Sequence, residues 1–260
     1  MDSNFVSSFD GSGKAAKGET LGGRAAKLRG FPLPSNNPKR QYKHSLVIPF
    51  ATYSPWLEDK EFSSTFASIS KYTLVDIYRC FELWSLVKRQ QSLEGDLLEV
   101  GVWRGGTGCL IACAARDDRY PSTVHLCDTF QGVVKAGAND PDYRGGELRN
   151  TSVEIVHEVV GKTAVRNVRV HVGIFPDETG AGISERRFKF VHIDVDVYES
   201  ARGVFDWIWP RLVPGGIVVF DDFGFPGCEG VTRLAYEVSN GTDRVFIHNL
   251  NGHAIVVKIA

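Results

Sequence analysis

The side chains best placed to do chemistry are carboxylates, and they fall in two groups near the end of the chain, Asp194-Val195-Asp196 and Asp221-Asp222. Each group follows a short apolar, β-branched run, Phe190-Val191-His192-Ile193 and Gly216-Ile217-Val218-Val219-Phe220. Such runs read as buried strands of a parallel sheet. Residues 199 to about 210 between them read as a helix, and Pro214-Gly215-Gly216 turns the chain into the second strand. A strand–helix–strand unit brings both acidic groups to the carboxyl edge of one sheet, where open α/β folds bind ligands. Carboxylates gathered there repel one another unless a positive group sits among them. A hard divalent cation such as Mg²⁺ meets that need.

A second constellation lies earlier, in Glu99-Val100-Gly101-Val102-Trp103-Arg104-Gly105-Gly106-Thr107. Its glycines let backbone approach a ligand and open the helix that follows. The spacing is Gly-x-x-x-Gly-Gly, not the Gly-x-Gly-x-x-Gly that cradles a pyrophosphate, which argues against NAD and FAD. Glu99, at the mouth of a strand, suits a ligand with an ammonium or sulfonium group. Asp128, at the tip of the next strand, is placed to accept hydrogen bonds from both hydroxyls of a ribose. Together these residues favour S-adenosylmethionine as the ligand.

The elements that must position these groups alternate along the chain. Strands are expected at 96–100, 123–127, 168–172, 190–193 and 216–220, with helices at 106–116, 151–161, 199–210 and 230–239. The helix at 151 opens on the capping box Thr151-x-x-Glu154. Residues 244–248 and 254–258 flank Asn251-Gly252 and read as a β-hairpin. The sum is an α/β, Rossmann-like fold with a seven-stranded, mostly parallel sheet, a C-terminal antiparallel hairpin and helices on both faces. Upstream, residues 55–91 read as helical, strongest over 72–84, with Leu74, Ile77, Tyr78, Phe81 and Trp84 on one face packing against the sheet. Residues 46–95 are expected as a helical lid or cap, and 96–260 as the catalytic domain. Residues 1–45, rich in Gly, Ser, Lys and Arg, are expected as a flexible basic arm with a short helix at 21–28.

The net charge of −1 gives no reason to expect nucleic acid or an anionic membrane as partner. No run approaches the ~20 apolar residues of a membrane-spanning helix, and the N-terminus lacks the apolar core of a signal peptide. The five cysteines, 80, 109, 113, 127 and 228, include no Cys-x-x-Cys pair and read as reduced, mostly buried thiols of a cytoplasmic protein. His192 reads as a strand histidine satisfied by backbone, and the remaining histidines are scattered without a metal-binding pattern. No nucleophile elbow or P-loop is present to anchor a hydrolase or kinase.

Read in order, Glu99-x-Gly-Val-x-x-Gly-Gly-Thr107, Asp128-Thr-Phe-x-Gly132, Asp142-Tyr-x-Gly-Gly-Glu147, Gly173-x-Phe-Pro-Asp-Glu-Thr179, His192-Ile-Asp-x-Asp-x-Tyr-Glu-Ser200 and Pro214-Gly-Gly-x-x-x-x-Asp-Asp222 resemble the macrocin-type sugar O-methyltransferases. The resemblance runs from about residue 72 to 238. It implies S-adenosylmethionine as methyl donor, Mg²⁺ held by Asp194, Asp221 and Asp222, a lid over about 131–150, a sugar hydroxyl of an antibiotic glycoside as acceptor, and a homodimer or higher homo-oligomer. Asp194 or Asp196 is expected as the base, both pointing to the same side if strand geometry continues. The cofactor is expected to touch Glu99, Gly101, Gly105, Thr107, Asp128, Thr129, Phe130, Gly173, Phe175 and Asp194. Phe175 would serve as an adenine wall, and Tyr72 and Thr73 would close over the ligand. Tyr198, which also opens a helix, is expected with Asp142 and Tyr143 to line the acceptor pocket. A catechol or other vicinal diol would serve the same chemistry. A non-catalytic nucleotide-binding module would need the glycines but not the acidic groups, and a nicotinamide oxidoreductase is disfavoured by the glycine spacing.

Overall fold

The parallel body of the sheet comprises β1 (Asp96–Val100), β2 (Val124–Asp128), β3 (Val168–Val172), β4 (Phe188–Ile193) and β5 (Leu212–Phe220). An antiparallel hairpin, β6 (Arg244–Asn249) and β7 (His253–Lys258), completes the order β3-β2-β1-β4-β5-β7-β6. The computed structural model describes Tyr42, residues 51–116 and residues 121–260. The basic arm expected over 1–45, with its short helix, lies outside the described residues apart from Tyr42.

β1 and β4 sit at the centre and are buried along their whole length, which is why their sequences run apolar without alternation. Their side chains still alternate between two cores. On one face Leu97, Leu126, Phe190, Val219 and Ile255 meet α1 (Lys60–Ile69), α2 (Ile77–Arg89), α3 (Gly106–Ala114) and α4 (Val153–Thr163). On the other face Leu98, Cys127, Val191, Val218 and Val256 meet α5 (Tyr198–Ile208) and α6 (Glu229–Ser239). α3 is buried all round, as its apolar, small-residue sequence requires. All five cysteines are buried and free. Among the described residues no helix is long and apolar enough to cross a membrane.

Four local readings need correction. The helix expected across 72–84 is broken: Thr73 Oγ1 accepts the Val75 N–H at 3.0 Å, and Asp76 Oδ1 then caps α2 through the N–H groups of Tyr78 and Arg79. The buried stripe becomes Arg79, Cys80, Leu83, Trp84 and Val87, leaving Leu74 64% and Tyr78 48% exposed. The cap of α4 is Ser152, whose Oγ accepts from Ile155 N at 3.4 Å, because the Thr151 hydroxyl is taken by the Trp103 carbonyl. Pro214-Gly215-Gly216 lies inside β5, where Leu212 pairs with Phe188 but Ile217 pairs with Phe190. The extra residues bulge out of the ladder and do not turn the chain. Finally, of the segment expected as a cap, residues 54–95 do not stand apart from the sheet. From Ser54 onward they belong to one compact unit with the sheet, because α1 and α2 fill its core.

The approach of β1 to β4 at the carboxyl edge depends on Gly101, with φ of 90°. A Cβ there would lie 1.5 Å from the Asp194 carbonyl oxygen. Gly101→Ala is therefore expected to cost at least about 3 kcal/mol, from left-handed strain and displacement of the Asp194 backbone. Gly161→Ala, inside α4 with nothing within 4 Å of the added carbon, should be neutral or stabilising by up to about 1 kcal/mol. Urea unfolding of the two variants checks this contrast, and equal midpoints would contradict it.

Candidate active site

Asp194 follows β4 directly, and its N–H donates to the Val100 carbonyl at 2.9 Å, so the tips of β1 and β4 are laced together. Asp221 follows β5 and its N–H donates to the Ile193 carbonyl at 2.9 Å. These two bonds place both acidic groups side by side. Ligand oxygens of Asp194, Asp221 and Asp222 lie within 4.8 Å of one another. Asp196 and Asp222 both adopt left-handed backbone, with φ of 64° and 60°. The strand does not continue through Asp196, so the expected same-side alternation with Asp194 does not apply.

The four carboxyls are not equivalent. Burial, then the charges of Asp221, Asp222 and Asp196, raise Asp194 well above the ordinary carboxylate range. Burial and the charges of Asp221 and Asp196 do the same to Asp222, against the pull of Arg79. Asp196 is also raised, chiefly by burial, although the Tyr143 hydroxyl donates to its Oδ1 at 2.6 Å and opposes the shift. Asp221 goes the other way. Burial pushes it up, but the His253 contact and the Arg79 charge outweigh burial and hold it low. Arg79 Nη1 donates to Asp221 Oδ1 at 2.6 Å, with Asp222 Oδ1 at 3.8 Å from the same nitrogen. Ionised together, the four carboxyls would carry more negative charge than one arginine balances. Three converging carboxylate oxygens fit a hard divalent cation such as Mg²⁺.

The glycine loop lies against this cluster through Gly101 and opens α3 at Gly105, whose φ of 85° is left-handed. Thr107 is buried in the first turn of α3. Asp128 holds the loop from β2: its Oδ2 accepts the N–H groups of Val102 and Trp103 at 2.7 and 2.8 Å, and its Oδ1 accepts Phe130 N at 2.7 Å. A carboxylate offers about four acceptor positions, so about one remains for a ribose hydroxyl, not the two expected. Thr129 Oγ1 shapes the next turn by accepting Gln131 N at 3.1 Å, and Phe130 packs half-buried on the core. Glu99 does not stand open at the strand mouth. It is fully buried, its Oε1 is 3.0 Å from His192 Nδ1, and its Oε2 has no protein partner. That orphaned acceptor beside α3 fits a ligand carrying an ammonium group.

Other expected residues are placed differently. Phe175 is a core residue, edge-on to Trp207 at 4.9 Å, and not an exposed wall. Gly173 makes room for Glu178, whose Oε2 accepts Ile174 N at 2.7 Å. Tyr72 and Thr73 pack over the start of α3, where the Tyr72 carbonyl accepts Gly106 N at 3.0 Å. The Tyr198 hydroxyl donates to Glu237 Oε2 at 2.7 Å and receives Arg202, which turns it away from the acidic cluster. The residue that does connect this helix to the site is Asp140, whose Oδ1 accepts Tyr198 N at 2.9 Å. Residues 131–150 form no helix. They are a loop pinned over the carboxyl edge by Asp140, by Tyr143 and by the bond from Ser200 Oγ to the Val134 carbonyl. Asp142 lies in this loop and packs against Gly227.

Sequence reasoning missed Arg79, His253 and Cys228. Arg79 interrupts the apolar stripe of α2 and His253 opens an otherwise apolar strand, and each anomaly was a usable signal. Cys228 Sγ is 3.6 Å from the Tyr143 hydroxyl, a proximity no local pattern announces. The histidines are not all scattered either. His125 bridges Asp96 and His171 at 3.1 and 3.0 Å, and His192 and His253 flank Asp221.

The family model for macrocin O-methyltransferase (TylF) matches residues 64–244. The 8-demethyl-8-(2,3-dimethoxy-alpha-L-rhamnosyl)-tetracenomycin-C 4'-O-methyltransferase of Streptomyces olivaceus is 31% identical over 170 residues, covering 60% of this chain and 64% of that protein. The mycinamicin III 3''-O-methyltransferase of Micromonospora griseorubida is 30% identical over 175 residues, covering 60% and 67%. The matches thus span about two thirds of the length of these curated relatives. Among solved structures, the O-methyltransferase NovP superposes with a TM-score of 0.62 at 24% identity, covering 73% of this chain and 83% of NovP, which shows a shared fold. Matched by the family model over more than half of its length, the chain belongs to the macrocin O-methyltransferase family.

Proposed function

We propose that this protein transfers a methyl group from S-adenosylmethionine to a sugar hydroxyl of a glycosylated small molecule, with a divalent cation at the acidic cluster. The observation that carries this reading is the contact between the two sites: Gly101 of the glycine loop packs on the backbone of Asp194. A donor held by the loop and an acceptor held at the carboxylates would meet there. The names of the two curated relatives, a methyltransferase of a rhamnosyl tetracenomycin and one of mycinamicin III, favour a glycoside over a catechol.

When bound, S-adenosylmethionine supplies an electrophilic methyl, and a cation lowers the pKa of the acceptor hydroxyl. Asp194, Asp221 and Asp222 would hold the cation, and Glu99 with the loop at 101–107 would hold the donor. Asp196 is the residue we assign as base. Its Oδ1 accepts from Tyr143 at 2.6 Å and Asp222 lies beside the same carboxyl, so Asp196 would be held in place where a hydroxyl proton is taken. Burial raises its pKa toward working pH, which makes it a better proton acceptor than an exposed aspartate. The loop at 131–150 covers this edge and excludes water, and Asp140 fixes that loop to α5.

Asp196→Asn is expected to lower turnover by about 10²- to 10⁴-fold while leaving Mg²⁺ binding in place. Asp194→Asn should abolish the response to Mg²⁺ altogether. Transfer of a labelled methyl group to candidate glycosides, followed by mass spectrometry, reads both. Near-wild-type turnover in Asp194→Asn and Asp222→Asn would contradict the cation mechanism.

The pKa directions also set the pH dependence of stability. Asp194 and Asp222 are raised above the ordinary 3.8, so the metal-free protein loses stability as pH climbs from 3.8 through their raised values. His253, raised by its carboxylate partners despite burial, acts with the same sign above its ordinary 6.5. Asp221, held low, contributes fully above 3.8 and loses its share only in stronger acid. A cation relieves the cost of ionising Asp194 and Asp222. The stability gap between Mg²⁺ and EDTA should therefore widen as pH rises above 3.8 through the raised values of these two carboxyls in urea unfolding. Parallel curves would show that these carboxylates do not hold the ion.

A further inference from the structure

Asp221 differs from the other carboxylates of the cluster in having two nitrogen partners on one oxygen. Arg79 Nη1 lies 2.6 Å from Oδ1, and His253 Nε2 lies 3.0 Å from the same atom. Both partners are themselves held. Arg79 Nε donates to Asp76 Oδ2 at 3.0 Å, and its guanidinium sits 4.6 Å over the Phe225 ring. His253 Nδ1 is 2.6 Å from Glu82 Oε2, and the other Glu82 oxygen accepts Asn249 Nδ2 at 2.6 Å. Arg79 and Glu82 are three residues apart on α2, so one helix face carries both. Arg79, Asp221 and His253 are 6%, 2% and 0% exposed, whereas Glu82 reaches partly into solvent.

Two physical effects of this arrangement have opposite signs. Coulomb repulsion makes Arg79 a competitor of any cation that Asp221 binds. Geometry makes it a helper, because the Arg79 hydrogen bond to Oδ1, with the His253 ring nitrogen packed 3.0 Å from the same atom, hinders rotation of the carboxylate and leaves Oδ2 for the ion. Partners that fix a ligand's orientation commonly matter more to a metal site than their charge suggests. We propose that Arg79 and His253, braced by Asp76 and Glu82, are positioning residues that fix Asp221 as a one-oxygen ligand of the cation site, and that this orientation outweighs their repulsion of the ion. The inference rests on the acidic cluster being the cation site, as set out under Proposed function.

The test uses Mn²⁺ alone with the full chain, free ion being read by electron paramagnetic resonance without methyl donor or acceptor. Wild type is compared with Arg79→Lys, which keeps the charge but loses the planar fork, with His253→Gln and with Glu82→Gln. Thermal unfolding in EDTA identifies the variants that remain folded. Arg79→Lys and His253→Gln should each weaken Mn²⁺ binding by about 10- to 100-fold. Glu82→Gln, whose contacts end at His253 and Asn249, should weaken it less but in the same direction. Unchanged or tighter binding in folded Arg79→Lys and His253→Gln overturns the proposal. If those two fail to fold, unchanged binding in Glu82→Gln does so. Absence of Mn²⁺ binding in wild type would instead remove the cation site itself, and the proposal with it.

Discussion

The structure is organised around the mutual repulsion of four carboxylates, Asp194, Asp196, Asp221 and Asp222, gathered at one buried edge of a sheet. Two unit charges about 4 Å apart cost about 4 kcal/mol at the effective dielectric near a protein surface. A folded chain meets such a cost by protonation, by pairing, or by binding a counter-ion, and the first two leave traces here. Asp194 and Asp222 are driven toward their protonated forms, and Asp221 is paired with Arg79. The charge that remains is the part a divalent cation is suited to balance.

Around that edge the fold supplies rigid support from both faces of the sheet. From one face α2 delivers Arg79 and Glu82, and β7 delivers His253. From the other, α5 is tied by Asp140 to the loop that carries Tyr143, which in turn reaches Asp196. The glycine loop is fixed by two N–H bonds, from Val102 and Trp103, to Asp128. The glycine loop, Asp196 and the carboxylate cluster are therefore held by different elements that meet at one short stretch of backbone, Val100 to Gly101 against Asp194.

Much of this was legible in sequence because the signals were local. The apolar runs ending in acid placed β4 and β5, and the glycines placed the turn into α3. Parallel order then required both acidic groups to share an edge. What was not legible depends on specific polar contacts, some local and some far apart in sequence. Thr73 and Asp76 offered better local hydrogen bonds than a continuous helix, so the apolar face of α2 rotated and brought Arg79 inward. Glu99 was read as an open strand end, yet His192 on the neighbouring strand closes over it. Tyr198 carried the right type for a pocket, but Arg202 and Glu237 one turn and one helix away capture its hydroxyl. In each case a specific polar partner decided the orientation, and hydrophobic periodicity carries no record of such partners.

We propose that these carboxylates hold a divalent cation by giving up the protons that repulsion forces on them. Calorimetric titration of the wild-type chain with Mg²⁺, in two buffers of different ionisation enthalpy near neutral pH, measures both binding and proton release. The account predicts saturable binding with protons released, so the observed heat changes with the buffer. Absence of binding, or binding whose heat is the same in both buffers, would contradict it.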